Sequence, residues 1–557
     1  MNETQQRFTP LGKFISFLLV IGLIGLGAWL VLRNMGGDGG GSGTTAEKGD
    51  AAGAAPDVVD VKVEVPTLAP AAAVQIKDNV VPIEISEYAG YAGLIAANGG
   101  LDPTENSVFF KSHGFKVKIT ISEDENWSEL NQGKIAASVT TADVLAVYGR
   151  QLHAIVPAQI GFSRGADGLV VRSDIKRINA LKGRTIATAQ FTEVDFFIRY
   201  LAQEAGLAVN ALGSLDAKPH PERVNLVYTE DGFGAGDLFL ADLNSGKNRL
   251  AGAVTWEPKL SEVVSGSGGQ AHVLTTNRNL LIVADVLLVH RGFAEQQPKI
   301  VEGLVQGLLE GNRMVRDRPD SYLDVVGRVF KWSRDETRAE LQRVHLSNLP
   351  ENLAFFSGAI DEAGSFSGIY QSSVLAYGSD LIRDPPGSDR FVDLKHLQTI
   401  DKTGIFKEQK VAIAPIRASG AGATLETNPL LSKDIRFMFE PNSSTLDMAV
   451  AENIKNLEAI KKLLQVSPGS TILLRGHVDN ARVPEFRKQG GEAYVRQQAL
   501  SAMELSKRRA NEIRRVLMEK YQIDAKRLDV VGRGWEEPAG TDSAMNRRVE
   551  VQWFTLE

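Results

Sequence analysis

The feature that most limits how this chain can fold is an apolar run near its start. In residues 14–32 the one polar side chain is Ser16, and Lys13 and Arg33 bracket the run. As a helix rising about 1.5 Å per residue it just spans a hydrocarbon core of ~30 Å. A single transmembrane helix is therefore expected, with residues 1–13 as a short cytoplasmic tail. The rival is a cleaved signal peptide, whose apolar region runs to ~7–15 residues before a small-x-small site. Here Trp29-Leu30-Val31-Leu32-Arg33 stands where that site would be. Arg7 and Lys13 lie before the run and Arg33 after it, a bias that places the tail inside and the remainder outside.

Residues 33–57 are rich in Gly, Ala, Ser, Thr and Asp, so they cannot bury a core and are expected to form a flexible linker. The glycine run from Gly36 to Gly41 is not followed by Gly-Lys-Ser/Thr, so it is no phosphate loop. The 557 residues leave room for two or three domains beyond it. A net charge of −6 gives no general attraction to nucleic acid. The absence of cysteine excludes disulfides, thiolate metal sites and cysteine nucleophiles. The eight histidines are scattered and show no His-Glu-x-x-His spacing. No metal, no cofactor and no enzyme activity are expected.

Residues 58–407 alternate strand and helix signals. Pro82-Ile83-Glu84-Ile85 is a short strand, and residues 116–121 alternate polar and apolar positions. A turn at Lys182-Gly183 leads into another strand. Ile300, Leu304, Val305, Leu308 and Leu309 mark one face of a helix behind Pro298. This alternation predicts α/β layers, and the length allows two lobes.

Several phrases in this region are similar to periplasmic solute-binding proteins of the nitrate/sulfonate/taurine (NMT1-like) type. They are Ser86-Glu87-Tyr88-Ala89-Gly90-Tyr91, Thr140-Thr141-Ala142-Asp143, Gly165-Ala166-Asp167-Gly168, Leu181-Lys182-Gly183-Arg184-Thr185-Ile186-Ala187, Thr255-Trp256-Glu257-Pro258 and Ile282-Val283-Ala284-Asp285-Val286-Leu287. The resemblance implies a bilobed type II periplasmic-binding-protein fold closing over a solute. It implies a cleft lined near Tyr88, Tyr91, Thr140, Thr141, Gln190, Thr192, Trp256 and Glu257. Each has a plain alternative: the threonines cap the helix beginning at Asp143, the tyrosines and Trp256 pack in a core, and Glu257 is solvated. Glu84, Glu87 and Glu257 would make the cleft acidic, favouring a cation or no ligand. The occupant is an unknown small solute or a protein partner, and an ABC permease is implied only with the former.

Residues 408–432, with Ala418-Ser419-Gly420-Ala421-Gly422-Ala423, read as a second linker. In residues 433–557 a strand is expected from Ile435 to Phe439, then a helix on Leu446, Val450, Ile454, Leu457 and Leu464. Thr471-Ile472-Leu473-Leu474 is a buried strand, with Asp479 just past its carboxyl end, where open α/β sheets place ligands. Leu505, Arg509, Ile513 and Val516 recur at helical spacing, which sets a cation in line with an apolar stripe. Such a cation needs a partner, and a guanidinium grips carboxylates through two hydrogen bonds.

Arg475-Gly476-His477-Val478-Asp479-Asn480, Leu505-Ser506-Lys507-Arg508-Arg509-Ala510 and Asn546-Arg547-Arg548-Val549-Glu550 resemble, in order, the motifs of the OmpA-like peptidoglycan-binding domain, a βαβαββ α/β sandwich. The resemblance implies that Asp479 takes the ammonium and Arg509 the carboxylate of the diaminopimelate in the peptidoglycan stem. It also places His477 and Asn480 in the same loop, His477 in a packing role. The alternative is that Asp479 and Arg509 pair with each other. In the family the two sit closer in sequence, and the extra segment between them is expected to form a lid or to cover the groove. Asn546 is expected to bond the last strand to nearby loops. Together these features predict a single-pass inner-membrane protein with its bulk in the periplasm, gripping the cell wall with its last domain.

Overall fold

The computed structural model describes residues 57–122, 126–359, 364–413, 429–439, 443–541 and 543–554. The expected tail (1–13), transmembrane helix (14–32) and nearly all of the first linker (33–57) lie outside the described residues, as does most of the second linker. No helix among the described residues is long and apolar enough to cross a membrane.

The chain lays down β1 (Val80–Ile85), β2 (Lys116–Ile121), β3 (Ala137–Thr141) and β4 (Ala154–Ser163). It then crosses to a second sheet, building β5 (Asp167–Arg172), β6 (Thr185–Ala189), β7 (Val209–Ala211), β8 (Val224–Thr229), β9 (Gly252–Trp256) and β10 (Ala271–Thr276). It returns to the first sheet for β11 (Ala284–His290) and β12 (Val344–Leu346). The two sheets run β12-β4-β11-β3-β1-β2 and β10-β5-β9-β6-β8-β7. Two crossings between sheets make two lobes, as expected.

Local sequence explains the layout. Every residue of β3, β4 and β11 is buried, as continuous apolar or small runs are in strands covered on both faces. β2 is an edge strand and keeps the polar alternation of Lys116, Lys118 and Thr120. The expected helix is Pro298–Asp317, and it buries Val301, Leu304, Val305, Leu308 and Leu309. The Phe366–Tyr377 helix packs on helices of both lobes, Val144–Tyr148 and Glu193–Glu204.

The last part carries β13 (Leu431–Ile435), β14 (Thr471–Gly476), β15 (Leu528–Gly532) and β16 (Val549–Phe554), in the order β13-β16-β14-β15. With the helices Ala451–Val466 and Val483–Tyr521 the order βαβαββ is present, beside one short helical turn at Ser543–Asn546. Two expectations need correction. The first strand is Leu431–Ile435, not 435–439; Phe439 forms only an isolated bridge with Leu446. The end of the expected linker is not loose. The Ile178 N–H donates to the Leu430 carbonyl at 2.9 Å, and the Asn179 side chain bonds both backbone groups of Ser432 at 2.8 Å. The Leu281 N–H donates to the Val466 carbonyl at 2.8 Å. The last domain is thus bonded to the second lobe and to the segment that crosses between lobes.

Candidate functional site

The wall-site residues are set by β14. At its end Gly476 lies against the Val483–Tyr521 helix, and a Cβ there would stand 2.2 Å from the Ser506 carbonyl oxygen. The helix therefore packs directly on the strand and brings Arg509 beside the loop that follows. That helix is interrupted at Gly490-Gly491, where Gly491 takes φ +64°. The extra segment is therefore two pieces: a short helix before the break, pinned by Phe486 stacking on Trp535 at 6.0 Å, and after it a prolongation of the Arg509 helix.

The buried seam of the helix is Ala502, Ser506, Ala510, Ile513, Val516 and Leu517, which includes Ile513 and Val516 of the expected stripe. This corrects the expected stripe: Leu505 and Arg509 are half-buried at its margin. Arg509 lies 5.0 Å over the Phe439 ring, and its Nη2 is 3.5 Å from the Ser443 carbonyl. Its Nε is buried without a hydrogen-bond partner. Burial and the neighbouring Arg547 cation lower its pKa, and Asp479 opposes them. Asp479 does not form a salt bridge with Arg509; its Oδ2 lies 3.3 Å from Arg547 Nη1, and its Oδ1 accepts from the Ala481 N–H at 3.1 Å. Asp479, Arg509 and Arg547 therefore form one open cluster of both signs.

His477 is buried, with Nε2 3.6 Å from Glu550. Asn480 is exposed, and its carbonyl accepts the Val483 N–H at 3.1 Å at the helix start. Asn546 Oδ1 accepts from the Ala539 N–H at 2.7 Å, as expected of a residue that ties loops. The share of Arg547 was missed, although it lies inside the quoted motif.

The central cleft residues separate into two groups. Tyr88 and Tyr91 meet edge to face at 5.4 Å, and the Tyr91 hydroxyl donates to Asp285 Oδ1 at 3.0 Å. Thr140 and Thr141 are buried at the end of β3, beside Asp285 in register with Thr141. The Asp143 side chain does not cap its own helix, and its carboxyl lies beside the Thr141 hydroxyl. The other four are engaged within the protein. Gln190 exchanges two 2.8 Å hydrogen bonds with the Lys62 backbone. The Thr192 hydroxyl donates to the Ala189 carbonyl at 2.7 Å. Trp256 packs on Phe233 at 4.9 Å. Glu257 is buried, accepts from the Ser261 N–H and hydroxyl, and lies 3.1 Å from Arg343.

The source of acidity is also different from that expected. Glu84 accepts from Asn126, and Glu87 accepts from the Trp332 indole at 3.0 Å. Asp143, Asp167 and Asp285 supply the buried carboxyls instead, at the junction of the lobes. Burial pushes Asp143 up to about 7 and Asp167 up to about 6, and raises Asp285 well above the ordinary carboxylate range. Asp167 is held by the Ser163 hydroxyl and by Asn277 Nδ2 at 2.7 Å.

Residues 438–552 match the model of the OmpA family. The C-terminal domain is an OmpA domain. Outer membrane protein Omp38 of Acinetobacter baumannii is 27% identical over 146 residues, 25% of this chain and 36% of that protein. Outer membrane porin F of Pseudomonas aeruginosa is 30% identical over 142 residues, 25% of this chain and 35% of that protein. The chain thus spans about a third of the length of the curated relatives it matches. Over 57% of this chain there is a likeness to the periplasmic aliphatic sulphonate binding protein SsuA from Escherichia coli, of which it covers 97%, at 14% identity and TM-score 0.42. The periplasmic nitrate-binding protein NrtA from Synechocystis PCC 6803 matches over 60% of this chain and 91% of that one, at 13% identity and TM-score 0.42.

Proposed function

We propose that this chain is an envelope protein that grips peptidoglycan through its OmpA domain and captures a small solute between its central lobes. Residues 14–32 would anchor it in the inner membrane, with the bulk of the chain in the periplasm. The observation that supports wall binding most strongly is Arg509: a half-buried guanidinium whose Nε has no partner, beside a carboxylate. The ligand expected there, diaminopimelate, is a zwitterion. Its carboxylate would take the free face of Arg509 as a charge-assisted pair. Its ammonium would take Asp479, displacing the weak, exposed contact to Arg547. His477 supports the loop, and Asn480 starts the helix beside it. Binding rather than catalysis is the proposed work of both regions.

The test is sedimentation with purified sacculi. Asp479→Ala and Arg509→Ala are each expected to stay in the supernatant with an unchanged circular dichroism spectrum. Pelleting of both variants like the parent would refute the assignment.

A second reading has its own support. Gln190, Thr192, Trp256 and Glu257 are engaged inside the protein, and the last domain is bonded to the interlobe crossing. In that reading the central region is a scaffold that docks a protein and takes no solute. Titration of the purified chain with a metabolite panel separates the two, since a scaffold gives no heat with any member.

A further inference from the structure

We propose that the buried carboxyl cluster at the junction of the lobes, Asp143, Asp167 and Asp285 beside Tyr88 and Tyr91, binds the ammonium group of a small organic primary amine. The inference rests on the solute reading above and names its ligand class. Buried charges are normally paired, and an unpaired one is costly. None of the three aspartates has a salt bridge among the described residues, and Asp143 is fully buried. Asp143 Oδ1 and Oδ2 and Asp285 Oδ2 have no hydrogen-bond partner. Native structures leave few such groups, so each calls for an explanation.

Two carboxyls with unfilled oxygens, Asp143 and Asp285, can each accept from a different N–H of a primary ammonium, which leaves its third donor for a neighbouring oxygen. The buried Thr141 hydroxyl lies beside the Asp143 carboxyl and the Tyr88 hydroxyl beside Ser163, so both border the same cluster. The edge-to-face tyrosine pair offers a ring surface of the kind that favours a cation. An anionic solute meets the wrong sign of charge. A metal ion needs ligand atoms close together, and among the described residues the one such cluster is His477, Glu537 and Glu550 in the other domain. Arg199, stacked on Tyr377, does not take the role: it is committed to Asp195 at 2.8 Å and to the Tyr228 hydroxyl at 2.8 Å.

Without a cation beside them the three carboxyls hold their protons more tightly than usual, because burial raises all three. Other titratable groups facing the cluster are Tyr88, Tyr91, Glu193 and Tyr377. Amine binding therefore releases protons, and affinity rises with pH through the range of about 6 to 7 set by Asp167 and Asp143.

The experiment is calorimetric titration of the full chain with propylamine, 1,4-diaminobutane, tetramethylammonium, methanesulfonate and zinc chloride. The expected result is one-site binding of a primary amine, with heat that depends on the buffer's ionisation enthalpy. Tetramethylammonium, which has no N–H donor, should not bind. Asp143→Asn and Asp285→Asn should each weaken amine binding by about tenfold or more. Competition between the two amines on the unaltered chain keeps the test independent of the variants' folding. Methanesulfonate binding without amine binding overturns the inference and leaves the solute reading standing. Zinc binding without amine binding overturns it in favour of a metal. Heat from none of the five overturns both.

Discussion

The OmpA domain and the interlobe junction both gather ionisable side chains, under opposite conditions. Asp479, Arg509 and Arg547 mix signs at a half-exposed surface. Asp143, Asp167 and Asp285 share one sign and are sealed. Mixed charges near water are weakly held, so Asp479 can exchange Arg547 for a ligand at small cost. Like charges in a sealed site are tolerated only as acids or with a cation among them. Under the functions proposed, the first site exchanges one partner for another, whereas the second needs a cation brought to its carboxyls.

Four variants would break or sharpen this comparison. The largest loss is expected from Asp195→Ala in the second lobe, where a buried carboxylate does have its cation. It strands Arg199 and should cost about 3–5 kcal/mol in urea unfolding. Asp143→Asn should have a comparable effect of opposite sign. The folded pKa of Asp143 lies above its unfolded value, so its protonated form is favoured on folding and stability is lost as pH rises from about 4 to about 7. Without amine, the variant should exceed the parent by on the order of 4 kcal/mol at pH 8 and match it near pH 4. Equal stability of variant and parent at both pH values would show that the cluster carries no buried charge.

Arg509→Ala should reduce sacculus binding by about tenfold or more, since it removes charge-assisted hydrogen bonds, with little change in unfolding midpoint. Arg547→Ala should change stability least, by about 0–1 kcal/mol, because its ion pair with Asp479 is exposed. A large destabilisation by Arg547→Ala would mean that this pair is structural and the groove is not open for exchange.

Much of the frame was legible in the sequence because strand burial leaves a local signature. β4 and β11 are apolar runs, and the Pro298–Asp317 helix shows its periodicity with proline at the first turn. Asp479 could be placed at a strand's carboxyl end for the same reason. The carboxyl cluster was not legible, although Asp143, Asp167 and Asp285 each fall inside a quoted phrase. Read locally, Thr140 and Thr141 cap the helix beginning at Asp143, which gives the aspartates no role of their own. Only the two chain crossings bring them together. Arg509 was set in the stripe because spacing alone cannot separate a seam from its edge. The seam is built on Ala502, Ser506 and Ala510, small residues that carry little hydrophobic signal.

The central claim is that the loop after β14 and the Arg509 helix together hold a zwitterion. Its most direct test is titration of the full chain with a soluble, diaminopimelate-containing muropeptide, beside an otherwise identical one carrying lysine. The lysine form keeps the ammonium and lacks the carboxylate that Arg509 would take. Saturable binding of the first and at least tenfold weaker binding of the second is the result predicted here. Equal affinity for the two would contradict the role given to Arg509.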